Sequence, residues 1–210
     1  MGLFNICEMV NGTATSPPSE RSTRSTSTIE AFENLHIEKV NSLKQLLGRA
    51  PGRGEIFFLW TLNSFNAFTF ITYVIKYFGT IRQLTFSTYS INERILTSLV
   101  RWYDKGAIEN IYICISDSIR SRVPKVNDQL QAFASTRNIE IGYAWNHSKV
   151  TLIRTDEHFF VIAGSGNFSE NALNEQYIFL NDERIYKFFD DCIRNRSDSR
   201  DKRYIWNISQ

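Results

Sequence analysis

Four polar side chains in the second half of the chain have the types and spacing needed to handle a phosphate. His147 and Lys149 are two residues apart, and so are Ser165 and Asn167. Residues two apart on a strand project to the same face, and the two pairs would lie side by side if their strands formed a hairpin. An imidazole, an ammonium, a hydroxyl and a carboxamide would then surround one spot, which is the set of groups needed to bind a phosphodiester and attack it.

This stretch resembles the signature of the phospholipase D superfamily, which is His-x-Lys followed about one strand later by Gly-Ser-x-Asn. The match covers His147, Lys149, Gly164, Ser165 and Asn167. Glu175 also stands where members often carry an acidic residue. The resemblance implies an α/β fold and a phosphodiesterase that needs no metal and no other cofactor.

The resemblance also implies a role for each residue. His147 of one copy would attack phosphorus to form a phosphohistidine, while the same histidine of a second copy would protonate the leaving oxygen and later activate water. Lys149 and Asn167 would bind the non-bridging oxygens, and Ser165 would add a hydrogen bond. Glu175 would accept a hydrogen bond from the other ring nitrogen of His147 and so set its tautomer.

The chain carries one copy of this motif, and the sequence contains no visible internal repeat. The chemistry implied by the resemblance needs two histidines. We therefore expect a symmetric homodimer with the active site on its two-fold axis.

One position departs from the family pattern. The family commonly has Asp five residues after the lysine, where this chain has Arg154, with Asp156 two residues farther on. Asp156 could replace the missing carboxylate, the chain could belong to a branch that lacks it, or activity could be lost. We favour the second explanation, because the four phosphate-facing residues are intact and this Asp usually supports rather than reacts.

Plain structural interpretations compete with the functional one. His147 could be an ordinary turn residue, and the segment from Gly164 to Asn167 could be an ordinary loop. Taken alone, each half of the motif is explained better by such a plain structural role. Taken together they favour the functional interpretation, because the two halves occur at the family spacing. His36 and His158 have no evident catalytic partner and are interpreted as structural or solvated.

A second, weaker candidate is a basic loop that contains Arg120, Arg122 and Lys125. It follows a strand that ends near Asp117, and ligands of α/β sheets bind at such strand ends. These residues could contact flanking phosphates of a nucleic acid, although a solvated loop explains them equally well. Only topology recommends the neighbouring segment 88–90 as part of the same mouth.

Composition excludes some classes of protein and leaves others open. Hydrophobic residues make up 42% of the chain and aromatic residues 14%, which is enough for one real core in 210 residues. The net charge is only +2, so any basic footprint for nucleic acid must be local. The cysteines Cys7, Cys114 and Cys192 match neither a zinc site nor a disulfide framework, and Cys114 is expected to be a small buried hydrophobe.

The pattern of apolar residues predicts an α/β sandwich, in which helices flank a mixed β-sheet. A Ser/Thr-rich segment, 1–28, is predicted to be a flexible tail. The catalytic domain is expected at 29–196, followed by a charged segment at 197–210. A first helix is predicted to run from a capping box at Ser27 to Gly48.

The later elements are predicted from the same periodicity. The predicted strands and helices are 55–60, 65–78, 84–89, 92–105, 111–116, 126–136, 139–145, 149–154, 159–163, 176–180 and 183–194.

No targeting signal is evident. The start of the chain resembles a myristoylation site, but Ile6 stands where Ser or Thr is required. The uncharged stretch 56–75 contains six Ser, Thr and Asn residues, and a strand, a turn and a helix explain it better than a membrane span. We therefore expect a soluble, cytoplasmic protein without stable membrane insertion.

The function favoured by the sequence is a metal-independent nuclease, because a compact chain with a single motif resembles the nuclease branch of the family. We expect an endonuclease, with DNA favoured over RNA. One alternative is a phospholipid phosphodiesterase. The other is a module that kept the fold and binds phosphate or nucleic acid without turnover, an interpretation that Arg154 supports.

Overall fold

The computed structural model describes residues 32–36, 49–61, 66–169 and 174–195. For 32–36 it describes the backbone alone. The predicted tail at 1–28 and the charged segment at 197–210 lie outside the described residues.

One mixed β-sheet of eight strands organises the described part of the chain, in the order β1-β2-β8-β7-β6-β3-β4-β5. The strands are β1 (Phe32–His36), β2 (Ile56–Thr61), β3 (Gln83–Thr88), β4 (Ile111–Ser116), β5 (Ile139–Ala144), β6 (Val150–Arg154), β7 (Phe159–Gly164) and β8 (Glu175–Asn181). The pairs β1–β2, β3–β4 and β4–β5 are parallel, and the pairs from β2 through β8, β7 and β6 to β3 are antiparallel.

Helices cover both faces of this sheet. They are α1 (Phe68–Phe78), α2 (Glu93–Asp104), α3 (Ile119–Arg122), α4 (Pro124–Thr136) and α5 (Glu183–Arg194). Apolar residues of α1, α2 and α4 join the larger buried cluster on one face. Tyr186 and Ile193 of α5 join a smaller cluster on the other face. The predicted α/β/α sandwich around a mixed sheet is confirmed.

Local chemistry explains where these helices begin. Asn92 precedes α2 with an extended backbone, and its side-chain oxygen accepts a hydrogen bond from the Ile95 amide at 2.9 Å. Asp182 caps α5 in the same way, accepting from the amides of Arg184 at 2.9 Å and Ile185 at 3.1 Å. Each cap satisfies amide groups that the first helical turn leaves without intrahelical partners.

Strand β1 corrects the prediction of a first helix at 27–48. Residues 32–36 form a strand that pairs in parallel with β2, with Phe32 opposite Ile56. The edge of β2 that β8 leaves open supplies hydrogen-bond partners for this backbone. Helical spacing of apolar residues cannot reveal such a pairing, because the partner strand lies farther along the chain. The rest of the predicted helix lies outside the described residues.

All eight described strands have an end at one edge of the sheet, which we call the site edge. Strands β1, β2, β3, β4, β5 and β7 finish there, while β6 and β8 begin there, as the pairings Ser87–Val150, Val150–Ala163 and Thr61–Glu175 require. This arrangement brings distant parts of the sequence to one place. None of the described helices is both long and apolar enough to cross a bilayer.

Candidate active site

His147 and Lys149 lie in the segment that enters β6 at the site edge. The Lys149 ammonium donates a hydrogen bond to the His147 carbonyl oxygen at 2.9 Å, and its Nζ lies 3.4 Å from the ring nitrogen Nδ1 of His147. His147 is exposed, whereas Lys149 is half-buried. The imidazole is therefore accessible to a substrate, and a cation stands beside it.

A buried asparagine holds this segment in place. Asn146 is only 3% exposed, and its amide nitrogen donates to the Ser87 hydroxyl of β3 at 2.7 Å. Its amide oxygen accepts from the backbone N–H of Ser148 at 2.9 Å and from the Ser148 hydroxyl at 2.7 Å. Asn146 thus ties the loop on both sides of His147 to strand β3 inside the sheet. Asn146 was not among the candidate residues from the sequence, and its position directly before the His-x-Lys motif was the available signal.

The second half of the motif follows β7, which forms the predicted antiparallel hairpin with β6. The Gly164 amide donates to the Lys149 carbonyl oxygen at 3.1 Å. The Ser165 amide donates to the Gln176 carbonyl oxygen at 3.0 Å, and the Gln176 amide donates back to the Ser165 hydroxyl at 3.0 Å. Ser165 is therefore fixed between β7 and β8, directly after the glycine that is bonded to Lys149.

Gly164 has a steric reason to be glycine. A Cβ atom at this position would overlap the Gln176 carbonyl oxygen and the Tyr177 ring of β8. Glycine allows β7 to approach β8 closely, and this approach fixes the position of the next residue, Ser165.

Asn167 is positioned by the aromatic residue that follows it. The Phe168 ring stacks on Phe86 of β3 with centroids 4.4 Å apart, and its side chain is 1% exposed. The Phe168 carbonyl oxygen also accepts from the Asn92 amide at 3.0 Å. These contacts bring the half-buried Asn167 to the end of β3, the strand to which Asn146 is bonded.

Glu175 is a buried carboxylate at the start of β8. It is 8% exposed, and it accepts a hydrogen bond from the Ser165 hydroxyl. The expected hydrogen bond from His147 to Glu175 is not among those of the described residues, so in this structure Glu175 orients Ser165. Burial lowers the pKa of Lys149, and the charge of Glu175 opposes that decrease.

Tyr89 lies beside His147. In the sequence, its place at a strand end was the only reason to include Tyr89 in the site. Its ring centroid is 5.0 Å from that of His147, with an interplanar angle of 50°. The Arg122 guanidinium lies over the Tyr89 ring, 4.9 Å from the centroid, and donates a hydrogen bond to the Tyr89 hydroxyl. Arg122 is thereby connected to the candidate site through one aromatic ring.

The other two residues of the basic loop have acidic neighbours. Arg120 pairs with Asp117 at 3.2 Å and stacks over Tyr143 at 4.0 Å. Lys125 pairs with Glu93 at 3.4 Å. The structure therefore does not bring these two cations to His147 in the way that it brings Arg122.

Arg154 and Asp156 lie at the opposite edge of the sheet. Arg154 stands five positions after Lys149, which is roughly 16 Å along the strand at about 3.3 Å per residue. Asp156 forms a hydrogen-bonded ion pair with Arg82 at 2.7 Å. Neither Arg154 nor Asp156 therefore lies near His147 and Lys149 in this structure.

The remaining candidates in the described part of the chain have structural surroundings. His158 lies between Phe78 and Phe160, each with a ring centroid 5.0 Å away, and burial lowers its pKa. Cys114 is 2% exposed within β4. The side chain of His36 and the whole of Cys7 lie outside what the structure describes. Among the described residues, no three His, Cys, Asp or Glu side chains are grouped as metal ligands would be.

Chemically, the site offers an accessible imidazole, an adjacent ammonium and a hydroxyl held by a carboxylate, with a carboxamide on the neighbouring segment. A nucleophile or proton carrier next to fixed donors for anionic oxygens can support substitution at phosphorus. The same donors can also bind a phosphate without reaction.

Comparisons with known proteins give partial structural matches. No protein-family model matches the chain, and no curated protein sequence matches it. Polyphosphate kinase from Porphyromonas gingivalis superimposes with a TM-score of 0.47 and 14% identity, covering 72% of this chain and 27% of that chain. Phosphatidylserine synthase from Haemophilus influenzae gives a TM-score of 0.44 and 11% identity, covering 67% and 38%.

A mutant of yeast tyrosyl-DNA phosphodiesterase 1 gives a TM-score of 0.33 and 16% identity, covering 48% of this chain and 25% of that chain. This chain spans less than two fifths of the length of each of these three proteins.

Proposed function

We propose that the chain is a phospholipase D-like phosphodiesterase that cleaves nucleic acid without a metal ion. The observation that carries this proposal is the exposed His147 ring, with the Lys149 ammonium 3.4 Å from its Nδ1 and Ser165 held one strand away. DNA is the favoured substrate, and cleavage within the strand is the favoured mode.

In the proposed reaction, a nitrogen of one His147 bonds to phosphorus, and the bond from phosphorus to the leaving oxygen breaks. The leaving oxygen takes a proton from His147 of a second copy. That second imidazole then removes a proton from water, the water oxygen attacks phosphorus, and the phosphorus–nitrogen bond breaks. Lys149 and Asn167 stabilise the charge on the non-bridging oxygens. The Ser165 hydroxyl donates its one proton to Glu175, so it would add a third hydrogen bond only after turning toward the phosphate.

Glu175 has a different part in this scheme from the one that the family resemblance suggested. Its carboxylate accepts from Ser165, so it would direct that hydroxyl and hold its lone pairs in a fixed orientation. Its charge also favours the ammonium form of Lys149, which is the form that binds a phosphate oxygen.

A homodimer is part of the proposal, since the chain has one motif and the scheme uses two imidazoles. An apolar strip supports it. Phe58, Trp60 and Ile178 are 40%, 49% and 36% exposed on the sheet face that carries α5. Trp60 stands next to Thr61, which pairs with Glu175 at the site edge, so a second copy on this strip would bring its own site edge near.

The direct test measures cleavage of a labelled single-stranded DNA and of bis(p-nitrophenyl) phosphate in excess EDTA. We expect cleavage by the wild type and none by His147→Ala. His158→Gln is the matched control, because His158 is a half-buried histidine at the opposite edge, and it should retain activity. Mass spectrometry after rapid quenching tests the covalent intermediate, an acid-sensitive adduct in which His147 carries phosphorus still esterified to the remaining DNA or nitrophenyl group.

Three outcomes would contradict parts of the proposal. Cleavage that disappears in EDTA would exclude the metal-independent reaction. Tight DNA binding with no turnover of either substrate would favour the silent binding module. Hydrolysis of phospholipid vesicles in preference to DNA would favour the lipid phosphodiesterase.

A further inference from the structure

Arg122 differs from its two basic neighbours in what surrounds its charge. Arg120 and Lys125 face Asp117 and Glu93 within ion-pair distance. For Arg122, no carboxylate of the described residues lies within that distance, and its described contacts are the ring and hydroxyl of Tyr89. Arg122 is exposed, and only one of its five N–H donors is needed for the Tyr89 hydroxyl.

Tyr89 connects this guanidinium to the reacting group. The centroid of the Tyr89 ring lies 5.0 Å from the centroid of the His147 ring and 4.9 Å from the guanidinium carbon of Arg122. The guanidinium carbon therefore lies within about 10 Å of the imidazole centre, and each strand of B-DNA carries a phosphate about every 3.4 Å along its axis. A second phosphate of the same strand falls within this reach.

We propose that Arg122 binds the phosphate next to the scissile one, and that Tyr89 is a positioning residue that holds both Arg122 and His147. This inference rests on the proposed function and deepens it, because it makes a strand with at least two phosphates the preferred substrate. A phospholipid with a single phosphodiester would gain nothing from this guanidinium. Arginine suits the role, since its planar donors match phosphate oxygens in pairs.

The test compares two phosphodiesters, of which only one carries flanking phosphates, and each variant is compared with the wild type so that the difference in leaving group cancels. One is a single-stranded DNA oligonucleotide, and the other is bis(p-nitrophenyl) phosphate. The readout is the ratio of kcat/KM for the oligonucleotide to that for the small diester. Arg122→Ala should lower this ratio about tenfold, the effect of one lost charged hydrogen bond, with most of the change in KM.

Binding of the oligonucleotide gives a second readout that does not require turnover. Fluorescence anisotropy at increasing salt should show that Arg122→Ala reduces the slope of log Kd against log salt by about one. Arg101→Ala is the charge-matched control, because Arg101 is exposed at the end of α2 away from the site edge, and it should leave both the ratio and the slope unchanged. Tyr89→Phe keeps the ring and removes the hydroxyl, so it should lower the ratio by a smaller factor.

The outcomes separate this inference from the proposed function. An Arg122→Ala variant that loses equal activity on both substrates and keeps the wild-type salt slope would overturn it, since Arg122 would then only position Tyr89. A variant with the wild-type ratio and slope would overturn it as well. If the wild type hydrolyses neither substrate, the phosphodiesterase proposal fails, while the salt slope still tests Arg122.

Discussion

Replacement of Asn146 by Ala should damage both stability and catalysis, for reasons that can be separated. The substitution removes three short hydrogen bonds, which join Asn146 to Ser87 and, twice, to Ser148 at 2.7–2.9 Å. Each is worth about 1 kcal/mol net, and the hydroxyls of Ser87 and Ser148 can still bond each other across 2.6 Å. We therefore expect a loss of about 2–3 kcal/mol in the free energy of unfolding.

For a chain of this length, such a loss lowers Tm by about 5–10 °C, at about 2–4 °C per kcal/mol. Catalysis should suffer more. Without Asn146, the segment that carries His147 is no longer tied to β3, and a displacement of about 1 Å at a reacting group can reduce the rate about a hundredfold. The assay is kcat on bis(p-nitrophenyl) phosphate, measured well below Tm, together with thermal unfolding.

Asn181→Ala is the matched control. Asn181 is 1% exposed at the opposite end of β8. It accepts from the Phe159 amide at 3.0 Å and lies 2.9 Å from His158 Nδ1 and 3.3 Å from the Pro51 carbonyl oxygen. It should lose similar stability and keep kcat. If Asn146→Ala unfolds earlier but has wild-type kcat, or if both variants lose kcat equally, then Asn146 does not position the catalytic segment.

Three further predictions follow from the same structure. Gly164→Ala should separate β7 from β8 and reduce kcat at least tenfold, because its Cβ would overlap the backbone of Gln176; wild-type kinetics with unchanged Tm would contradict the steric argument. Lys149→Met should inactivate the protein yet raise its stability to urea at neutral pH, because burial lowers the pKa of Lys149. Below the lowered pKa, the folded wild type has to keep a charged ammonium partly out of water, which costs stability. The stability of the wild type therefore rises as the pH increases from the pKa of folded Lys149 to that of the unfolded chain, and the advantage of the variant should disappear at high pH. A variant that is less stable than the wild type at neutral pH would refute this reasoning. Trp60→Glu should convert the proposed dimer to a monomer in size-exclusion chromatography with light scattering and reduce kcat, whereas the exposed Tyr77→Glu should change neither; a wild-type monomer with full activity would exclude the shared site.

Much of the architecture could be predicted because it depends on local patterns. Helix α5 runs from Glu183 to Arg194 as the periodicity of the sequence indicated. Strand β4 corresponds to an uninterrupted apolar run, which is typical of a strand buried on both faces. The His-x-Lys and Gly-Ser-x-Asn elements were also visible, since each depends on a spacing of a few residues.

The sheet order decided what those patterns could not contain. Asn146 reaches Ser87, Tyr89 meets His147, and Glu175 bonds to Ser165 only because β3, β6, β7 and β8 lie side by side at one edge. Strand β1 likewise became a strand through pairing with β2. Side-chain types and their near spacing are properties of the sequence, whereas contacts between residues far apart in the chain arise from backbone hydrogen bonding between strands, and that pairing exists only in the folded molecule.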